Sequence, residues 1–415
     1  MIVPLRYKAF ASYFSFSIAT SALGFVASLL LMRFIPPEEF GRIALFMSIQ
    51  FFVAPVISFA ADNLIAINKS KLGVLEYEHF RRSYVTLAYI IFSAVQIIFA
   101  LIFLSGIQHE LLFLLVPFSA LAKYLIGLAS IEYVMEEKSV RYGLVAFLTT
   151  LFSLLLTVLF LTIFTAKADW RIAALLLADI VFLFVRYHGR MKLLFTVVSD
   201  KQEFKDITRF GLPLLLAVAP AWALNESDKI IVAHYVDIAS VGLYAAACAI
   251  GAFMITFNTA LVNAMIPMLY QALGEKSEDM LLITKRYLIK FMKASIIFAG
   301  GFALFYGLFA DLILPEKYYA ARDIVYSVVF FSLARSLYAV LGAVTDYFGM
   351  TMQKLKGIVF AGVTAVISIM LGVTQFGIAG AAVGVGIGYT MLSLVLWFEL
   401  EHKSRSLAKI TRNMA

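Results

Sequence analysis

Long apolar stretches recur along the chain with short polar breaks between them. They run over about residues 10–32, 43–66, 84–105, 111–131, 142–165 and 170–185, each long enough to cross a hydrocarbon core of ~30 Å, the last only marginally. A polar, amphipathic stretch from Arg186 to Arg209 follows, and then six more spans over about 211–232, 239–269, 287–310, 323–345, 355–373 and 376–399. The pattern predicts twelve membrane helices, arranged as six plus six. Pro213 and Pro220 predict a bend in the seventh span, and Pro267 a kink or interfacial turn in the eighth.

Composition agrees with this reading. Of 415 residues, 62% are hydrophobic and 14% charged, where a soluble domain has about 45–50% and about 25%. Bilayer is therefore the main solvent, and a large catalytic domain outside the membrane is excluded. The apolar stretch after Arg6 and Lys8 runs to Met32 without a small-residue cleavage site, so it reads as an uncleaved first span. A single cysteine, Cys248, excludes an intramolecular disulfide and a CxxC metal site.

The 34 Lys and Arg residues are distributed very unevenly between the two sides. One side holds most of them, from Arg6 and Lys8 through Lys69, Lys71, Arg81 and Arg82 to the tail at Lys403–Arg412. The other holds only Arg33, Arg42, Lys167, Arg171, Lys229, Lys317 and Arg322. Because cytoplasmic loops retain positive charge, both termini are expected in the cytoplasm. These charges set orientation and anchor headgroups, so membrane lipids are the expected partners and nucleic acid is not. Three cations, Lys123, Lys293 and Arg335, remain within spans or at their edges.

The two halves resemble each other. Pro36-Pro37-Glu38-Glu39-Phe40-Gly41-Arg42 follows the first span and Asp237-Ile238-Ala239-Ser240-Val241-Gly242-Leu243 the seventh, each a short polar turn that leads through glycine into an apolar helix. Lys123 and Arg335 occupy the fourth and tenth spans, each about twelve residues in, or ~18 Å deep. Matched repeats with a site near the midplane are the architecture of alternating-access transporters, although gene duplication alone leaves the same trace. The division expected is a lobe over 1–186, an amphipathic linker over 187–209 lying at the interface, a lobe over 210–400 and a basic tail over 401–415.

Ionisable residues at mid-depth are the candidates for function. Lys123 and Arg335 either line a hydrated cavity and attract an anion, or pair with a carboxylate and hold helices together. Arg33 and Lys229, cations at the outer side, are further candidates for substrate binding. Glu226 and Asp228 offer a proton or sodium site, the alternative being an Asp228–Lys229 cap at the membrane surface. Asp62, beside Asn63, and Asp179 fit interhelical hydrogen bonding, with Asp62 also a candidate for ion coupling. Gly380, Gly384 and Gly388 recur every four residues, which predicts a close-packing face.

Enzyme chemistry finds little support. The five histidines, 79, 109, 188, 234 and 402, are isolated, and there is no HExxH, no DxD and no paired carboxylate near a long loop. Outward loops of about five to fifteen residues leave no room for the large loop expected of a polysaccharide polymerase.

Phe210-Gly211-Leu212-Pro213, Asp228-Lys229-Ile230-Ile231-Val232-Ala233-His234-Tyr235 and Val241-Gly242-Leu243-Tyr244 occur in that order, with Arg33–Gly41 before them and Gly377–Ala382 after. Together these resemble the polysaccharide-biosynthesis branch of the multidrug/oligosaccharidyl-lipid/polysaccharide exporter superfamily, specifically the Wzx-type flippases. The resemblance implies an all-α, MATE-like, V-shaped polytopic fold of two pseudo-symmetric six-helix lobes in a bacterial inner membrane. It implies a protein that moves undecaprenyl-pyrophosphate-linked oligosaccharide from the cytoplasmic to the periplasmic leaflet. No cofactor is expected, a proton or sodium gradient supplies the drive, and a polysaccharide polymerase and chain-length regulator are implied partners. A multidrug or cation antiporter of the same superfamily is the competing reading, and a polytopic glycosyltransferase or polymerase a more distant one.

Overall fold

The computed structural model describes residues 3–107, 110–188, 198, 200–275 and 280–414, leaving the side chains of 3–14, 17, 139 and 407–414 outside the description. Among the described residues the chain is helical throughout, with no strand. The helices are α1 (Val3–Phe34), α2 (Pro37–Ile57), α3 (Asp62–Lys71), α4 (Val74–Leu104), α5 (Val116–Met135), α6 (Ser139–Ile163), α7 (Ala168–Tyr187), α8 (Lys201–Tyr235), α9 (Ile238–Glu275), α10 (Met280–Ile313), α11 (Arg322–Tyr347), α12 (Thr351–Phe376) and α13 (Ile378–Met414). Short 3₁₀ turns at Leu111–Leu115 and Glu316–Ala321 lead into α5 and α11.

Among the described residues ten segments are long and apolar enough to cross a membrane. The two other expected spans are α1, whose described apolar part is Ile18–Phe34, and α7, whose 20 residues include Asp169, Arg171, Asp179 and Arg186. Among the described residues a helix therefore stands at each of the twelve expected spans, and α3 is a thirteenth helix, split from the second of them. The chain is a multi-pass membrane protein.

The second span departs from the expected continuous helix over 43–66. It stops at Ile57 and resumes at Asp62. The amide of Ala60 donates to the carbonyl of Pro55 at 2.8 Å and that of Phe59 to Val56 at 3.0 Å, a helix-ending pattern that usually places glycine in the left-handed region. Here Phe59 and Ala60 adopt it, at φ 54° and 51°, a strain of about 1–2 kcal/mol each. Neighbouring groups stabilise the break. Tyr84 donates its hydroxyl to the Ser58 carbonyl at 2.6 Å, which satisfies a backbone group that the break frees. Gly211 of α8 lies against the Phe59 carbonyl so closely that a Cβ there has no room.

The helices run on through the prolines expected to bend them: Pro213 and Pro220 lie within α8, and Pro267 within α9. The described end of the expected linker is not a separate interfacial helix. Lys201–Arg209 forms the start of α8, capped by Asp200, whose Oδ1 accepts from the amides of Gln202 (2.8 Å) and Glu203 (3.2 Å). The rest of that linker, 189–197 and 199, lies outside the described residues. The basic tail, too, is a continuation of α13.

Packing divides the chain into two units: 1–35 with 42–219, and 36–41 with 220–415. The boundary falls within α8, beyond the expected lobe start at 210. In the first unit the core centres on α4, α5 and the end of α7, where Tyr84, Tyr187 and Leu128 are buried. In the second, the two glycines matched between the halves meet: a Cβ on Gly41 strikes the Ile238 carbonyl, and one on Gly242 the Pro37 carbonyl. The glycine face of α13 packs as expected, with Gly380 against Gly372, Gly384 against Ile369 and Gly388 against Ala365.

Candidate functional site

In the first unit a cavity of about 620 Å³ opens beside the break in the second span. Ala54, Pro55, Ser58 and Asp62 contribute from the broken segment, Lys123 and Tyr124 from α5, and Tyr142 from α6. Broken spanning helices are tolerated where their backbone is buried in protein or lines a cavity, and Ser58 of this break is both buried and part of the cavity lining. Asp62 sits at the start of α3, accepting from Ser58 Oγ at 3.1 Å, and the Tyr84 oxygen, whose proton goes to the Ser58 carbonyl, is 3.4 Å away.

Lys123 belongs to this cavity and is also paired. Its Nζ lies 2.8 Å from both oxygens of Asp179 on α7. The partners differ sharply in exposure: the Asp179 side chain is 2% accessible and that of Lys123 43%. Both readings of Lys123 therefore describe part of its environment. It neutralises a buried acid across two helices and presents an accessible cation to the cavity.

In the second unit the Asn225–Lys229 segment of α8 is folded in on itself. Lys229 Nζ reaches Glu226 at 2.9 Å and Asp228 at 3.3 Å, with 15% of its side chain accessible. Asp228 is buried and also accepts from the Tyr244 hydroxyl at 2.7 Å. The arrangement is a buried ion cluster in which Lys229 is largely occupied by its own neighbours. Asn225 receives the Tyr389 hydroxyl at 2.6 Å.

Arg335 on α11 is exposed. Its guanidinium lies 5.7 Å from the centre of the Tyr389 ring, and among the described residues no carboxylate lies within ion-pair distance of it. Lys123 and Arg335 each sit twelve residues before the C-terminal end of their helices, Met135 and Tyr347, about 18 Å by helical rise. The register matched between the halves holds when counted from that end. Counted from the helix starts it does not, because α11 is longer. Arg33, at the end of α1, is exposed and away from the cavity lining just described.

One cluster has no counterpart in the sequence reading. Arg81 at the start of α4 donates Nε to Glu132 at 2.7 Å and Nη2 to the Tyr187 hydroxyl at 2.8 Å. Arg186 at the end of α7 reaches the other Glu132 oxygen at 3.3 Å, and Tyr77 donates to Glu132 at 3.1 Å. Charge counting alone puts Arg81 and Arg186 in surface loops. The signal that could have flagged them is Glu132, a carboxylate closing an apolar span. Ion pairs between loops respect the predicted sides: Arg42–Glu110 joins two ends on one side, and Lys69–Glu136 two on the other.

A family model described as polysaccharide biosynthesis protein matches residues 30–323. The Lsg locus putative protein 1 of Haemophilus influenzae is 29% identical over 177 residues, a match spanning 41% of this chain and 43% of that protein. Among solved structures, the lipid II flippase MurJ in an inward closed conformation is similar over 94% of this chain and 87% of its own, with TM-score 0.69 at 14% identity. An inward-facing multidrug resistance MATE family transporter of the MOP superfamily gives TM-score 0.66 at 14% identity, over 94% and 96%. A point mutant of the Vibrio cholerae MATE transporter VcmN gives 0.58 at 15%, over 97% and 98%. The fold is therefore the one shared by these transporters, as the sequence resemblance implied. With its match covering well over half of the residues, the chain belongs to the polysaccharide biosynthesis protein family.

Proposed function

We propose that the protein is a Wzx-type flippase that carries undecaprenyl-pyrophosphate-linked oligosaccharide from the cytoplasmic to the periplasmic leaflet by alternating access. It works in a bacterial inner membrane with both termini in the cytoplasm, alongside a polymerase and chain-length regulator. Family membership supports the pathway. The observation that carries the substrate's charge is Arg335: an exposed guanidinium within a span, with no carboxylate in reach among the described residues. A cation at mid-span costs about 2.5–3.5 kcal/mol against hydrocarbon even on the mildest scale, so its place is a wet surface where it meets an anion. Lys123, at the first unit's cavity, supplies a second cation. A pyrophosphate suits both, and an organic cation suits neither.

Ion coupling falls to a carboxylate. Asp62 is the stronger candidate because it lines the cavity that Lys123 also lines, whereas Asp228 is already neutralised by Lys229. The test is reconstitution of the full chain into liposomes with fluorescent polyprenyl-pyrophosphate-linked oligosaccharide. Movement of the label between leaflets, dependent on a proton or sodium gradient, is the expected result. Efflux of ethidium with no movement of the lipid-linked sugar would instead identify a cation antiporter.

A further inference from the structure

His79 is isolated in the sequence and has company in the fold. It stands near the start of α4, and its Nδ1 lies 3.0 Å from Oε1 of Glu203 at the start of α8, 124 residues further along. Asp200, which caps α8, completes the group: one ligand atom from each of the three residues lies within 4.8 Å of the other two. The His79 side chain is 50% accessible and that of Glu203 23%, so a small ion reaches the group from solvent.

The charges of the group call for a cation. Two carboxylates lie together, and among the described residues no Lys or Arg is within ion-pair distance of either. Asp200 Oδ1 accepts from the amides of Gln202 and Glu203, which answers only part of its charge and leaves Oδ2 for a ligand. Glu203 meets His79 through Oε1, and its Oε2 has no hydrogen-bond partner among the described residues, so a dication at Oε1 balances a carboxylate that its surroundings leave unbalanced. Spacing and donor type narrow the choice of ion. Two ligands each ~2.0–2.2 Å from one metal stand about 3–3.4 Å apart, the separation of His79 Nδ1 and Glu203 Oε1. An imidazole among carboxylates favours a transition dication such as zinc over magnesium or calcium, which take oxygen donors.

We propose that His79, Asp200 and Glu203 bind one zinc ion, with water completing its shell. The ion joins the start of α4 to the start of α8, and these two helices hold the break in the second span. Tyr84, five residues or ~7.5 Å beyond His79, donates to the Ser58 carbonyl. Gly211, eight residues or ~12 Å beyond Glu203, packs against the Phe59 carbonyl. The amide of Val198 also donates to Thr86 Oγ1 at 3.0 Å, so the chain entering α8 already rests on α4. Zinc therefore locks the clasp around the break from a place that shares no residue with the cavity lining.

The full chain, purified without a histidine tag and stripped with a chelator, is brought to equilibrium with zinc by dialysis. Bound metal is counted by elemental analysis, and the unfolding temperature is measured with and without zinc. One zinc per chain and a higher unfolding temperature with zinc are the expected results. His79→Ala removes a half-accessible side chain, and Asp200→Asn removes a charged ligand while keeping the helix cap. Each should weaken zinc binding at least about tenfold, yet unfold like the stripped wild type when zinc is absent, which separates loss of the site from loss of the fold. Equal zinc binding by the wild type and His79→Ala overturns the proposal. Displacement of zinc by magnesium at equal concentration also overturns it, making the two carboxylates an unselective cation surface. So does a wild type that binds no zinc, whose carboxylates are then answered by the chain's own cations, such as Arg190 or Lys192.

Discussion

Lys123 and Arg335 occupy corresponding places in the two halves and live in different surroundings. Lys123 holds the carboxylate of buried Asp179 beside a helix that breaks at Ile57 and a cavity of about 620 Å³. Arg335 stands exposed on an unbroken helix, with an aromatic ring as its neighbour. The matched position of the charge does not bring matched bonding. One cation serves stability and accessibility together, while the other has little structural work that its removal would disturb.

The largest effect should come from breaking the pair. Lys123→Ala strands Asp179 in the interior, which costs about 3–5 kcal/mol when both partners are buried and less here because Lys123 is half accessible. Thermal unfolding of the purified protein should show that loss, and Asp179→Asn in the same background should recover most of it. If the single variant unfolds like the wild type, the pair contributes nothing and Lys123 is as independent as Arg335.

Gly211→Ala comes next. Its Cβ runs into the Phe59 carbonyl, a backbone atom that has to shift to make room, and a loss of about 1–3 kcal/mol is expected. The same change should impair transport by displacing the turn beside the cavity. An unchanged unfolding temperature would mean that the break in the second span is not pinned by α8.

Much of this arrangement is legible in the sequence. Runs of about twenty apolar residues report themselves, and the charge count predicts which loops share a side, in keeping with the Arg42–Glu110 and Lys69–Glu136 pairs. The matched glycines 41 and 242 are visible as a repeat, but that each excludes a Cβ through the other's turn is not. The broken second span is hidden because its left-handed residues are Phe59 and Ala60, which carry no turn signal. Pro213, Pro220 and Pro267 are visible as helix-disturbing residues, and helix continues on both sides of all three. Pairing partners stay invisible for a simple reason: Asp179 is 56 residues from Lys123, and no local spacing rule connects helices that far apart.

The most direct measurement is the flipping rate of polyprenyl-pyrophosphate-linked oligosaccharide in liposomes carrying Arg335→Ala, Arg335→Lys or the wild type at matched protein density. Loss of the ring contact alone changes stability by about 0.5–1 kcal/mol, so all three should unfold at nearly the same temperature. Transport should fall at least about tenfold in the alanine variant, as expected for one lost charge-assisted contact, and recover substantially with lysine. Equal rates for alanine and wild type would contradict a role for this cation in carrying an anionic substrate.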